Sequence, residues 1–335
     1  MSGDDPLVHQ GARREGHVLV GARVGPQRRG GKGVIGMKTR KATTDKEASD
    51  FIEHLFPANT HDYLMFFTNS GRVYVERVHE IPDLGRASKG RSIANVLELK
   101  HSEKIADVIR VQAVYGENKE DLTWQQDRCI FFTTRSGTVK KTALRDFANV
   151  RRGGIIAIKI TPGDTLIEAR FTTGHDDVIL VTADGQSIRF HEDGVRTMGR
   201  AAAGVRGIRL GKDDHVVALS IVSADATLLV AGENGIGKRT VFDGYRVQSR
   251  GGKGIKTMKI TKKTGKVIGG LTVHDGDEIM LITVGGQMVR TSVDGIRLTG
   301  RNTQGVRLVN VDDKDRLQDI APVVSANQEE AATMD

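Results

Sequence analysis

The 335-residue sequence has one cysteine, one tryptophan and only 4% aromatic residues. A lone thiol, Cys129, can form neither an internal disulfide nor a zinc site, which points to a reducing, cytoplasmic setting. Its place in the apolar run Arg128-Cys-Ile-Phe-Phe-Thr133 reads as a buried structural thiol rather than a nucleophile. So few aromatics argue against a stacking platform for single-stranded nucleic acid. No apolar run is long enough to span a bilayer and no basic amphipathic helix is evident, so no membrane partner is expected. The start, Met1-Ser-Gly-Asp-Asp-Pro6, lacks the charged and apolar regions of a signal peptide. The ten histidines form no His-Glu-x-x-His spacing, and no Ser–His–Asp arrangement stands out. Acidic pairs such as Asp176-Asp177, Asp213-Asp214 and Asp312-Asp313 fall at turns and read as solvated. No catalytic residue, metal or other cofactor is expected.

What is abundant is basic charge and glycine. Fifty Lys plus Arg against 42 Asp plus Glu give +8, and the isoelectric point is near 9.5. That balance favours a polyanionic partner. The 40 glycines recur at fixed places. Tyr63-Leu-Met-Phe-Phe-Thr68 leads to a turn ending at Gly71, and Cys129-Ile-Phe-Phe-Thr133 to one ending at Gly137. Val178-Ile-Leu-Val181, Leu228-Leu-Val-Ala231 and Ile279-Met-Leu-Ile-Thr283 lead likewise to Gly185, Gly235 and Gly286. Each is a hairpin signal. The turn glycines lie 66, 48, 50 and 51 residues apart, and the long first interval contains the polar insert Gly116-Glu-Asn-Lys-Glu-Asp121, expected to loop out.

A second landmark keeps step. Fifteen residues after each turn glycine stands an arginine: Arg86, Arg152, Arg200, Arg250 and Arg301. Four of these have glycine four positions on, at Gly90, Gly204, Gly254 and Gly305, and Arg29 with Gly33 repeats the pair near the N-terminus. An apolar-alternating strand follows, as in Ile255-Lys-Thr-Met-Lys-Ile260. The pattern predicts an all-β fold of six radial blades, each of about 50 residues and four strands. Thr44 to Leu55 carries the best helical signal, but the repeat predicts an extended segment near Asp50 to Leu55. In the first unit the register is least regular: Ala12-Arg-Arg-Glu-Gly16 makes a poor strand, and the hairpin is expected through His17-Val-Leu-Val20 and Arg23-Val24.

The Arg-to-Gly segment recurs as a loop, and two copies are elaborated. One is Gln27-Arg28-Arg29-Gly30-Gly31-Lys32-Gly33; the other is Gln248-Ser249-Arg250-Gly251-Gly252-Lys253-Gly254. Glycines let backbone N–H groups approach phosphate oxygens, arginine offers a planar fork, and lysine adds a point charge. Nothing there is suited to reading base edges, so the expected binding is sequence-independent. For ordinary copies such as Arg200-Ala-Ala-Ala-Gly204, tight turns on a solvated face remain an equal reading. Bending duplex DNA needs many cations in an arc. Candidates near the landmarks are Lys38, Lys41, Lys89, Arg91, Lys140, Lys141, Arg151, Arg152, Arg206, Arg239, Arg290 and Arg307, beside Arg86, Arg200 and Arg301. Two or three outward cations per blade would meet ~12–18 phosphates, comparable to other wrapping surfaces.

The heptapeptide Gln27–Gly33 resembles the seven-residue box of the C-terminal domain family of bacterial DNA gyrase A. Asp50-Phe-Ile-Glu-His-Leu55, Thr60-His-Asp62, Gly71-Arg-Val-Tyr74 and Gly300-Arg-Asn-Thr-Gln-Gly305 are similar to the same family, so the likeness runs over roughly residues 10–323. It implies a six-bladed β-pinwheel, propeller-like but with blades that exchange a strand, over residues 1–326. It implies further that double-stranded DNA wraps the basic rim in a right-handed sense, so that the gyrase catalytic core can introduce negative supercoils. The box role falls on Gln27 to Gly33, while Gln248 to Gly254 departs from the usual single box, with Ser249 where the first has Arg28. By the same resemblance this is a monomeric, non-catalytic segment of a longer enzyme, working with the catalytic region of gyrase A and with gyrase B. The tail 327–335 is short, acidic and expected to be disordered.

Two glycine motifs imitate nucleotide sites. Gly232-Glu-Asn-Gly-Ile-Gly-Lys-Arg239 resembles a P-loop but has Arg239 where Ser or Thr should hold magnesium. Gly31 to Gly36 spells a dinucleotide fingerprint without a βαβ context. Rival readings are a topoisomerase IV-type C-terminal domain, against which the intact box and six units argue, and a propeller-like scaffold that binds proteins. A hydrolase in a propeller channel is more distant, for want of site residues.

Overall fold

The computed structural model describes residues 7–12, 17–21, 51–81, 91–285, 287–311 and 315–323. Its strands follow the repeat. The first unit holds β1 (Leu7–Ala12), β2 (His17–Gly21) and β3 (Phe51–Pro57). The second holds β4 (Tyr63–Thr68), β5 (Arg72–Arg77), β6 (Arg91–Ser92) and β7 (Ile105–Val111). The third has β8 (Cys129–Thr134), β9 (Thr138–Ala143), β10 (Ile155–Ile156) and β11 (Leu166–Thr172). The fourth has β12 (Asp177–Thr182), β13 (Gln186–His191), β14 (Val205–Arg206) and β15 (Val216–Ile221). In the fifth are β16 (Thr227–Gly232), β17 (Ile236–Val241), β18 (Ile255–Lys256) and β19 (Val267–Val273). The sixth comprises β20 (Glu278–Thr283), β21 (Met288–Ser292), β22 (Val306–Arg307) and β23 (Leu317–Val323).

Units and sheets do not coincide. Each of the first five sheets takes the hairpin and last strand of its own unit, and its outermost strand from the unit that follows. Thus β5 is closed by β10, β9 by β14, β13 by β18, and β17 by β22. The register is the same each time: Ile155 faces Val73, Val205 faces Val139, Ile255 faces Ser187 and Val306 faces Gly237. The sixth sheet has the order β21-β20-β23 among the described residues. The last strands β7, β11, β15, β19 and β23 stand side by side around the centre, and β23 approaches β3. The architecture is therefore an all-β propeller with strand exchange.

Both faces of each inner sheet are buried, which is why the strands read as continuous apolar runs. Successive side chains of β8 go to opposite neighbours. Ile130 and Phe132 pack with Met65 and Phe67 of the second sheet, while Phe131 packs with Val178, Leu180 and Phe190 of the fourth. Phe67 and Phe132 meet edge to face at 5.4 Å. The strand Phe51–Pro57 agrees with the extended segment expected near Asp50 to Leu55. The first hairpin is a correction. It pairs Leu7–Ala12 with His17–Gly21, so His17–Val20 form the second strand and not the first. His17 and Val18 face Ser92 and Arg91, the places that Arg72 and Val73 hold in the next sheet. Arg13 to Gly16 lie between the two strands, outside the described residues, as does the tail 324–335. The insert Gly116–Asp121 is exposed as expected, and Asp121 ties it back to Tyr63 and Arg77.

Gly235 shows why the turn needs glycine. Its φ is +72°, and an added Cβ would collide with the Val309 carbonyl oxygen, in the bend that follows β22 of the next unit. Gly163 has φ +85° but nothing within 4 Å of the same position. Gly163→Ala is expected to cost only the left-handed backbone penalty of ~1–2 kcal/mol. Gly235→Ala adds a main-chain clash and should cost clearly more in urea unfolding; equal losses would show that the turn does not depend on this close approach.

Candidate nucleic-acid interface

Because the short strands are outermost in their sheets, the Arg-to-Gly loops that precede them lie on the outer edge of the ring. These loops are laced to the neighbouring unit by main-chain hydrogen bonds. Lys159 N donates to Ala202 O at 3.1 Å, Arg209 N to Gly252 O at 2.8 Å, and Lys259 N to Thr303 O at 3.0 Å. The bonds recur every 50 residues, so each loop is fixed at equivalent points.

In the box-like loop, Gly251 N donates to Gly207 O at 2.6 Å, and Gly254 (φ +73°) passes so close to Ser187 O that a Cβ would collide with it. Arg250 is exposed but tethered: its Nε donates to Gly194 O at 2.6 Å and Nη1 to Arg206 O at 3.2 Å. Arg301 does likewise, with Nη1 donating to Lys256 O at 3.1 Å. The landmark arginines therefore staple adjacent units while leaving part of the guanidinium outward. Lys253 is exposed at the loop tip, and the buried Gln248 Nε2 has no hydrogen-bond partner among the described residues.

Arg151, Arg152, Arg206 and Arg307 are exposed, and Arg200 is half-buried. Arg91 lies in β6. Gln27, Arg28, Arg29, Gly30, Gly31, Lys32, Gly33, Arg86 and Lys89 lie outside the described residues, as do Lys38 and Lys41. Further cations share this edge. Arg196, Arg246 and Arg297 are exposed just after the 3-10 turns, and Lys159, Arg209, Lys256 and Lys259 are exposed around the short strands. Their spacings of 50 or 51 stand in the sequence, but the Arg–Gly landmark does not point to them.

Other candidates prove structural. Lys140 is fully buried, and Lys141 and Arg239 are almost so. Lys141 pairs with Glu192 at 3.2 Å and Arg239 with Asp275 at 2.5 Å. Arg290 is paired with Glu278. For the three buried ones the reason is the strand period: they lie on β9 and β17, whose side chains turn into contacts between blades, whereas Arg290 on β21 stays exposed in a surface ion pair. Gly232 to Arg239 belongs to the β16–β17 hairpin with strand on both sides, so it is no phosphate-binding P-loop. Cys129 is half-buried, and burial pushes its thiol up, away from nucleophilic character. Among the described residues no group of His, Cys, Asp and Glu is arranged for a metal, and no helix is long and apolar enough to cross a membrane.

Comparison with known proteins places this geometry. The family described as "DNA gyrase C-terminal domain, beta-propeller" matches residues 22–59, 62–112, 130–173, 176–223, 226–274 and 277–323. Six segments are matched, and the interval from 113 to 129 that is skipped contains the insert. The DNA gyrase A protein of Mycolicibacterium smegmatis is 41% identical over 308 residues, covering 91% of this chain and 34% of the relative. That of Salmonella typhimurium is 44% identical over 283 residues, covering 84% and 30%. The chain thus spans about a third of the length of the curated relatives it matches. In fold it is similar to a solved DNA gyrase A C-terminal domain, with a TM-score of 0.73 at 24% identity over 96% of this chain and 100% of that one. The C-terminal domain of DNA topoisomerase IV gives 0.77 at 23% identity, over 99% and 98%. At such identities the two structures speak for the fold alone.

One part of the edge is not uniformly basic. Beside Arg152, burial and the neighbouring Glu80 push the Glu76 carboxyl up to about 7, with Arg152 drawing it down. An unfolded glutamate titrates near about 4.3. The contribution of Glu76 to native stability is therefore fully present below that value and is lost as pH rises through 7, where Glu76 ionises in place. Glu76→Gln should raise the thermal midpoint at pH 8 and leave it unchanged at pH 4; an unchanged midpoint at pH 8 would mean that the carboxylate is not held at a cost.

Proposed function

This chain belongs to the DNA gyrase C-terminal domain, beta-propeller family, and from that premise we propose that it wraps duplex DNA around its outer edge. The observation that carries the reading is the recurrence of exposed cations on laced loops at the same place in successive units. Arg196, Arg246 and Arg297 form one such series, and Arg206, Lys256 and Arg307 another. Cations held in an arc release counterions from successive phosphates, which offsets the elastic cost of bending. The side chains are fixed by main-chain bonds rather than by base-shaped pockets, so binding is sequence-independent.

In the intact enzyme the domain acts with the catalytic region of gyrase A and with gyrase B. It presents wrapped DNA so that strand passage introduces negative supercoils, and it carries no catalytic residue itself. The first box, Gln27 to Gly33, is needed for supercoiling more than for plain DNA binding; Gln248 to Gly254 adds to the binding surface. The isolated domain acts as a monomer, in the cytoplasm on the nucleoid.

Nicked circular plasmid is incubated with the domain, sealed with ligase and resolved on gels. A positive linking difference that rises with protein, and is lost when Arg28, Arg29 and Lys32 are replaced by Ala, is the expected result. Binding without a linking change would reduce the domain to a bender, and no binding at low salt would remove the reading. In the same preparation Arg206→Ala and Arg307→Ala should each flatten the slope of log affinity against log salt by about one.

A further inference from the structure

Two lysines are buried where, among the described residues, no carboxylate meets them. Lys140 in β9 and Lys238 in β17 hold the same place in their hairpins, three residues after the turn glycines Gly137 and Gly235. Both are fully buried. Lys140 Nζ donates to Ala157 O at 2.5 Å and Arg200 O at 2.6 Å, and lies 5.7 Å from the Phe132 ring centroid. Lys238 Nζ donates to Gly300 O at 2.6 Å, to Arg301 O, and to Thr303 Oγ1 at 3.3 Å. Each of these contacts is to a neutral oxygen or a ring face. The next residues in each strand, Lys141 and Arg239, turn to the other face and do find carboxylates.

Packing alone does not call for a charge here. The same place in the fourth sheet holds Ile188, fully buried in an apolar cluster. An ammonium removed from water without an anion is costly, and burial pushes both lysines down to about 8. What the two ammonium groups share is their acceptor: the main-chain carbonyl of the landmark arginine, Arg200 in one case and Arg301 in the other. The second sheet ties down its loop differently, with Arg72 Nη2 donating to Gly153 O at 2.6 Å and Gly154 O at 2.8 Å.

Resting on the reading that these loops bind DNA, we propose that Lys140 and Lys238 are positioning residues for that binding, Lys140 drawing inward the Arg200 carbonyl of one rim loop and Lys238 the Gly300 and Arg301 carbonyls at another. A loop whose carbonyl oxygens are gathered beneath it shows its N–H groups and its guanidinium to the outside. Without the ammonium, converging carbonyl dipoles repel one another, and oxygens that swing outward would meet phosphate with the wrong sign. The charged groups around each lysine are few. Asp146 favours the charge on Lys140 and Arg200 opposes it, while Arg301 opposes that on Lys238. Phosphate bound at either loop would offset the repulsion from the arginine.

The test measures affinity of the full chain for a short DNA duplex by fluorescence anisotropy over a salt series. Lys238→Met should weaken binding about three- to tenfold and flatten the salt slope by about one. Arg301→Ala should do the same, and the double variant should bind no worse than either alone, because both act through one loop. Wild-type affinity should also fall more steeply than that of Lys238→Met as pH rises from 7 to 9, a comparison in which the ionisation of Glu76 is common to both. Wild-type affinity with Lys238→Met, or a full further loss when it is added to Arg301→Ala, would overturn the proposal. Should Lys238→Met fail to fold, Lys140→Met decides at the other loop: wild-type affinity there removes the idea. Wild-type protein that binds no DNA at any salt would fell the functional reading itself, a result the variants alone cannot produce.

Discussion

Two residues borrowed from the next unit complete each of the central sheets, and the rest of the molecule depends on that loan. The pairs Ile155-Ile156, Val205-Arg206, Ile255-Lys256 and Val306-Arg307 each close a neighbour's hairpin in one register. A two-residue strand contributes little by itself, but it removes an open sheet edge and makes adjacent blades inseparable without breaking main-chain bonds. It also holds the loop before it at one end, while the Lys159, Arg209 and Lys259 amides hold a point within the loop. A loop fixed at one end and again within its length loses little further freedom when it meets a ligand. The basic edge is therefore pre-arranged, and its regularity is that of the blades.

The pleat of the strand sorts the cations into two kinds. On β9, β13 and β17 successive residues face opposite sides, and the basic residues there serve the interior. Lys141, Arg189 and Arg239 pair with Glu192, Asp177 and Asp275 and tie turns to strands. Of these, Lys141 and Glu192 are both buried, and removing one of them would leave a charge without compensation, which costs more than the pair contributes. Among the described residues, the cations of the loops and short strands face outward instead of entering such buried pairs. Excess positive charge thus gathers at the rim by subtraction, because the fold has used the inner cations for its own ion pairs.

Much of this is legible in the sequence, and the reasons are specific. Blades buried on both faces force apolar runs such as Val178-Ile-Leu-Val181, and turns that approach a neighbour's carbonyl force glycine, as at Gly235. Those two signals alone set out the hairpins and the period. The first hairpin escapes them because β1, Leu7–Ala12, mixes His9, Gln10 and Gly11 among its apolar residues and offers no run to recognise. Lys140 and Arg239 pass for rim cations in the sequence because proximity to a landmark says nothing about which side of a strand a residue faces. The Arg196, Arg246 and Arg297 series has a plain spacing, yet only its exposure marks it as part of the rim.

The sequence by itself determined the repeat, the all-β class, the turn glycines and the basic loops, because each of these is a local demand met by nearby residues. Tertiary structure alone decided which unit completes which sheet, since a two-residue strand carries no signal of its partner. It also decided which cations are available. Burial and pairing depend on residues 36 to 60 positions away, such as Asp275 for Arg239 and Arg200 for Lys140. Charge is written in the sequence, but its availability is set by what the fold places opposite it.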